Sequence, residues 1–181
     1  MEFMLAKEYT QDMKMPKSLV GYSPPIGWLL SEKYDGYRAR WIPEKRMFLS
    51  RNQKEFIAPE WFKDEMPNVD LDGELFAGRE NFQVMGTVRK KVPVDEEWRK
   101  IKYVVYDLPE EDDTFENRII KLEQIVKDNK SITVIYTKQI KVTSLEQMEK
   151  IYKKVLENGG EGIMIKDPSS AVSYTHLTLP T

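Results

Sequence analysis

From Gly27 to Lys166 the apolar positions follow two rhythms, strict alternation and a three-and-four spacing, which divide the chain into strands and helices. Trp28, Leu29 and Leu30 form a short apolar run, and Tyr37, Ala39 and Trp41 alternate with Arg38 and Arg40. Two strands are predicted there, with Asp35-Gly36 as a tight hairpin bend between them and Lys33 at a strand end facing a cleft. A turn at Pro43-Glu44-Lys45 leads to a strand over residues 46–49. Residues 59–65 open with proline and predict a short helix. Residues 69–76 predict a strand, and residues 80–88 a helix or an irregular loop. The run 101–108 is continuous and rich in β-branched residues, the pattern of a buried strand.

Phe115, Ile119, Leu122 and Val126 share one face of a helix predicted over residues 114–128. Alternation returns over 132–140 and predicts a further strand. Ser144 and Gln147 form a capping box, and the helix they open carries Leu145, Met148, Ile151, Tyr152 and Val155 as its apolar stripe. Gly159-Gly160 stops that helix, and a strand over 162–166 follows. Residues 1–25, interrupted by Pro16, Pro24 and Pro25, are predicted to be mostly loop. The order lacks regular βαβ spacing, a Gly-rich phosphate loop and internal repeats, so the expected class is α+β, with largely antiparallel sheets and packed helices.

Composition narrows the chemistry. At 181 residues and 40% apolar content, one well-buried domain is expected. The absence of cysteine removes disulfides and thiolate metal sites, and permits a reducing compartment. No run approaches a signal-peptide core or a membrane span, so a soluble, monomeric protein without membrane partners is expected: cytoplasmic, or nuclear or in a viral factory in a eukaryotic or viral setting. The net charge of −2 excludes a uniformly basic surface but conceals local patches. Arg38, Arg40, Lys45, Arg46 and Arg51 gather around the first strands, and Arg89-Lys90-Lys91 forms a second cationic run suited to nucleic-acid phosphates.

The single histidine, His176, and the lack of cysteine exclude serine-protease triads and His/Cys zinc sites. No Gly-x-x-x-x-Gly-Lys-Ser/Thr exists for a P-loop. What remains is a lysine with carboxylates and scattered cations, a set suited to attack on a nucleotide α-phosphate. A lysine attacks only as the neutral amine, so its neighbours must favour loss of the proton; Arg38 or a bound metal would do so. Taken one at a time the residues are ambiguous. Lys33 to Arg38 also reads as a charged hairpin, Asp72-Gly73 as a turn, Glu74 as an exposed strand residue, Tyr106 as core, Glu161 as solvated and Arg51-Asn52 as a polar turn.

Taken together, Lys33-Tyr-Asp-Gly-Tyr-Arg38, Ser50-Arg51-Asn52, Leu71-Asp72-Gly73-Glu74-Leu75, Tyr106-Asp107-Leu108-Pro109 and Glu161-Gly-Ile-Met-Ile-Lys166 stand in an order that resembles the covalent nucleotidyltransferases. Within that superfamily the chain is most similar to ATP-dependent DNA ligases, from Gly27-Trp28 to Ser170. The resemblance implies the adenylation domain shared by DNA ligases and mRNA-capping enzymes, ATP as AMP donor, Mg²⁺ or Mn²⁺ as cofactor and nicked duplex DNA as partner, in replication, repair or recombination. It implies that Lys33 becomes the lysyl-AMP and that Glu32, Lys33, Arg38, Glu74, Tyr106 and Lys166 bind the nucleotide, Tyr106 by stacking on adenine and Glu74 near the ribose. Glu161 and Glu74 would serve the metal and Arg51 the DNA, to which the charge pattern adds Arg89, Lys90 and Lys91. An RNA-capping guanylyltransferase or RNA ligase shares the lysine motif, and a non-catalytic nucleotide- or DNA-binding fragment is the alternative from another class. The likeness stops at Ala171. Residues 171–181 are therefore expected to be a non-native tail, residues 26–170 an adenylation domain incomplete at its C-terminus, and the Leu-Lys-x-Lys strand and oligonucleotide-binding barrel absent, with activity impaired accordingly.

Overall fold

A computed structural model describes residues 7–8, 25–171 and 176–178 of the chain. Its strands are β1 (Lys7–Glu8), β2 (Leu29–Lys33), β3 (Tyr37–Ile42), β4 (Met47–Ser50), β5 (Glu55–Phe56), β6 (Leu71–Phe76), β7 (Lys102–Asp107), β8 (Val134–Tyr136), β9 (Ile140–Lys141), β10 (Gly162–Lys166) and β11 (His176–Thr178). The α-helices are α1 (Glu60–Asp64), α2 (Asp95–Trp98), α3 (Phe115–Asn129) and α4 (Leu145–Glu157). Of the predicted N-terminal loop, all but residues 7, 8 and 25 lies outside the described residues. No helix among the described residues is long and apolar enough to cross a membrane.

The elements form two compact units, each with its own sheet. The first unit comprises residues 1–34, 113–116 and 138–181, and its sheet runs β1-β11-β10-β2-β9. β2 and β10 pair antiparallel, with Lys33 opposite Gly162 and Leu29 opposite Lys166. Alternation turns Leu30, Ile163 and Ile165 to one face, where they meet Met148, Leu145, Ile151 and Val155 of α4. Ile163 and Ile165 are fully buried, which is worth about 1.5–3 kcal/mol apiece. The forward half of the predicted capping box forms, the Gln147 amide donating to Ser144 Oγ at 3.0 Å, while Gln147 Oε1 reaches one residue further back and accepts from the Thr143 amide at 2.8 Å. α4 stops where Gly159 takes φ +75° and the Gly160 amide returns to the Val155 carbonyl.

The second unit, residues 35–112 and 117–137, has the sheet order β5-β4-β3-β6-β7-β8. Its pairings are antiparallel except β7 with β8. Its core is aromatic: Phe48, Phe62, Trp98 and Tyr103 are fully buried and meet edge-on, with Phe62 and Trp98 centroids 4.9 Å apart. The Tyr103 hydroxyl has the carbonyls of Ala39 and Leu71 within 2.9 and 3.0 Å, so its one proton is satisfied inside the core.

Two predicted local features are corrected. β2 and β3 do not form a hairpin, because β2 pairs with β10 and β9 while β3 pairs with β4 and β6. Gly36 lacks the positive φ of a tight hairpin bend; a Cβ there would lie 2.2 Å from the Leu75 carbonyl oxygen, so glycine serves close strand approach. Asp72-Gly73 lies inside β6, within the strand predicted over 69–76, with Gly73 packed against the Val104 carbonyl. The strand predicted over 132–140 divides into β8 and β9, which join different sheets. The segment 80–88 is part of a 3-10 helix, Arg79–Arg89, kinked at Asn81.

Candidate active site

Lys33 ends β2, and its ammonium donates to the Glu161 carboxylate, which stands immediately before β10. Register explains the meeting, since Lys33 lies opposite Gly162 across the ladder. Both side chains keep access to solvent, at 36% and 29% exposure. The pair is therefore reachable from solvent. Ser31, Met164 and Lys166 share the Lys33 face by alternation. Lys166 lies at the far end of the ladder, about 13 Å from Lys33 along the strand. Its side chain is buried, with Nζ 4.8 Å from the centre of the Phe115 ring. Glu32 is directed to the opposite, α4-facing side, where its carboxylate approaches Gly160. Of the first unit's predicted residues, the fold thus joins Lys33 with Glu161 and sets Glu32 apart.

The second unit holds a different arrangement. The register jumps between Asp72↔Asp107 and Gly73↔Val105, leaving Tyr106 as the extra residue of a β-bulge. Its ring is buried, its hydroxyl donates to the Gly73 carbonyl at 3.3 Å, and the Arg38 guanidinium lies 5.9 Å from the ring centre. Arg38 grips Asp72 with two nitrogens, Nε donating to Oδ1 at 3.1 Å. Burial disfavours the Arg38 charge, but Tyr106 and Asp72 outweigh it and hold the group firmly cationic. Burial, then the negative Asp72, pushes the Tyr106 hydroxyl well above the usual phenol range. Tyr106 is therefore a neutral aromatic surface.

An open cavity of about 660 Å³ in the same unit is lined by Tyr37, Arg38, Arg51, Lys54, Glu74 and Arg89, among others. Arg38 and Glu74 are cross-strand partners there. Arg89 lies 4.6 Å from the centre of the Tyr37 ring, which in turn meets Phe56 edge-on. The cationic run is thereby divided in role: Arg89 faces the cavity, Lys90 pairs with Glu97 at 2.8 Å, and Lys91 is exposed. Sequence reasoning missed Asp72 as the partner of Arg38, and missed the buried pair in which Arg118 Nε donates to Asp107 Oδ1 at 2.8 Å.

No group of three His, Cys, Asp or Glu side chains gathers among the described residues. Mg²⁺ needs no such cage, because it commonly binds through one or two carboxylates and completes its shell with waters and substrate phosphates. The Glu161 carboxylate, half-exposed beside the Lys33 amine, is a hard-oxygen donor of the required kind, and so is Glu74 at the cavity.

The ATP dependent DNA ligase domain family matches residues 3–175. The chain belongs to that family. It is 29% identical over 147 residues to a DNA ligase of Haemophilus influenzae, a match covering 81% of this chain and 54% of that protein. A DNA ligase of Archaeoglobus fulgidus is 31% identical over 163 residues, covering 76% and 28% respectively. The chain thus spans about half the length of the Haemophilus relative and less of the archaeal one. A Lig E DNA ligase, solved in a structure-function analysis of DNA binding with a minimal scaffold, superposes with a TM-score of 0.85 at 25% identity over 99% of this chain and 68% of its own. The Chlorella virus DNA ligase-adenylate shares the fold, with a TM-score of 0.75 at 17% identity over 98% and 67%. The expected α+β adenylation-domain fold is the one observed.

Proposed function

We propose that this chain is the adenylate-transferring part of an ATP-dependent DNA ligase that seals nicks in duplex DNA, with Lys33 as nucleophile. The observation that carries the reading is the meeting of Lys33 with Glu161 across the β2–β10 ladder, in a chain belonging to this family. In the first step the neutral Lys33 Nζ attacks the ATP α-phosphorus. A nitrogen–phosphorus bond forms, the bond to the bridging oxygen breaks, pyrophosphate leaves, and the nitrogen sheds one proton to solvent. Glu161 Oε1 accepts a hydrogen bond from Nζ and orients it for in-line attack. Arg38, fixed by Asp72, presents a permanent cation to the nucleotide, Glu74 serves the ribose, and Tyr106 offers its ring to adenine. AMP then passes to a DNA 5′-phosphate, held by Arg51 and Arg89, and an adjacent 3′-hydroxyl displaces it. Lys91 supplies a further phosphate contact, with Lys90 after release from Glu97. Lys166 stands as a second, buried source of positive charge. Glu161 would be a ligand for Mg²⁺, and so, in its own unit, would Glu74; the ion when bound would neutralise charge on the phosphates.

The test is covalent labelling. The protein is incubated with α-labelled ATP or GTP. Acid-labile, alkali-stable label from ATP is expected on Lys33. Arginine stays protonated and cannot attack, so Lys33→Arg abolishes it. Undiminished labelling of Lys33→Arg, or label from GTP alone, would sink the reading.

A further inference from the structure

Asp72 and Asp107 are direct partners across the β6–β7 ladder, and both are buried, at 4% and 0% exposure. Two carboxylates placed opposite each other out of water repel unless each is neutralised. Here each has its own arginine. Arg38 grips Asp72, while Arg118, itself 3% exposed, grips Asp107 through Nε at 2.8 Å and a terminal nitrogen at 3.1 Å. Asp107 Oδ1 also accepts from the Leu108 amide at 2.8 Å, so one carboxylate ties α3 to the backbone just past the bulge. Tyr106 is the bulged residue between these clamps, and its hydroxyl reaches Gly73, the neighbour of Asp72. A bulge leaves a residue without a ladder partner and re-aims its side chain. Its direction then depends on where the bulged backbone and the Gly73 carbonyl are held.

We infer that Asp107 and Arg118 are positioning residues for base recognition: their buried pair locks the bulge that aims the Tyr106 ring, and so sets affinity for the adenine end of the nucleotide rather than its phosphate end. This inference rests on the proposed role of Tyr106 and adds to it two residues that touch no substrate. Phosphate-side groups such as Arg38 keep their own anchor, Asp72, when the Asp107–Arg118 pair is removed. The consequence is selective, whereas a general loss of structure is not.

The experiment compares equilibrium binding of ATP and of inorganic tripolyphosphate to the 181-residue chain, measured by calorimetry. Asp107→Asn combined with Arg118→Gln removes both charges at once and leaves no lone buried ion, so it serves even where Arg118→Met alone fails to fold. The double variant is expected to bind ATP about tenfold more weakly, the scale of a single base–aromatic stack, with tripolyphosphate affinity changed less than about twofold, the margin left for Arg38 anchored independently. In a Tyr106→Leu background the same pair of changes is expected to have no further effect on ATP. Equal losses for both ligands, or an ATP loss that persists undiminished without Tyr106, would assign the pair a merely structural role. Ring spectra of isotope-labelled tyrosine in the nucleotide-free protein supply a second reading: the Tyr106 signal should move in the double variant, and an unmoved signal overturns the inference. Failure of the parent to bind ATP while the Tyr106 signal moves counts against the nucleotide role of Tyr106 and leaves the clamp standing.

Discussion

The two groups of charged residues are built to opposite rules. Lys33 and Glu161 form one ion pair, open to solvent, on a short strand and a strand entry. Arg38–Asp72 and Arg118–Asp107 are two-pronged and largely out of water, the second pair at only 3% and 1% exposure. An exposed pair is worth little to stability and is readily rearranged, which suits the proposed role of Lys33 as the group that takes AMP. A buried pair is costly to break and holds its geometry, as the proposed recognition surface must before its ligand arrives. On the proposed roles, reactivity is placed where the fold can tolerate change, and selection where it cannot.

The widest separation between the two regions is expected from Arg118→Met, which leaves Asp107 charged and buried with one partner removed. A loss of about 3–5 kcal/mol is expected by urea unfolding of the purified chain. A change below about 1 kcal/mol would place this pair in the same class as the exposed one, and the contrast would collapse.

A second contrast is visible in alkali. Burial raises the Tyr103 and Tyr106 hydroxyls well above the usual phenol range and pushes Tyr136 up to about 12, all three in the second unit. A phenol is neutral when protonated, so a raised folded-state pKa means the folded chain holds its proton more tightly than the unfolded chain. The stability linked to these groups is full below pH about 10, the unfolded value, and declines as pH rises from there through about 12 for Tyr136. Thermal melts at rising pH should show this decline, and Tyr136→Phe should make it shallower. An identical alkaline slope in Tyr136→Phe would show that its ionisation is not coupled to folding.

How much of this could be read from the chain depended on whether the signal was local. The Ser144 and Gln147 cap, the α4 stripe and the buried strand β7 all follow from neighbours within a few positions, and the structure has each close to where the pattern puts it. Pairing was not legible. Asp35-Gly36 carries the composition of a hairpin bend, yet the chain there passes between sheets, and the reason for Gly36 is the Leu75 carbonyl, residues away in sequence. The Tyr106 bulge needs the register of β6 to be seen at all. One overlooked signal was available: Arg118 lies in the first turns of α3, where the helix dipole disfavours a cation, and such a placement points to a carboxylate partner.

The smallest effect on stability is expected at Glu161, and it sharpens the comparison most directly. Glu161→Gln keeps an oxygen that can accept from Lys33 Nζ and removes only a charge that is already partly solvated. The cost in unfolding free energy should stay under about 1 kcal/mol. Adenylation should nevertheless fall, because a carboxylate is a far better ligand for a hard divalent ion than an amide, and raising Mg²⁺ or Mn²⁺ should restore part of it. The measurement is initial rate of label incorporation from α-labelled ATP across a Mg²⁺ series, alongside a melt of the same preparation. A variant that melts like the parent, labels slowly at limiting Mg²⁺ and recovers at high Mg²⁺ places Glu161 in the metal's service. Parental rates at limiting Mg²⁺ would instead leave Glu161 as a surface partner of Lys33 with no part in the chemistry.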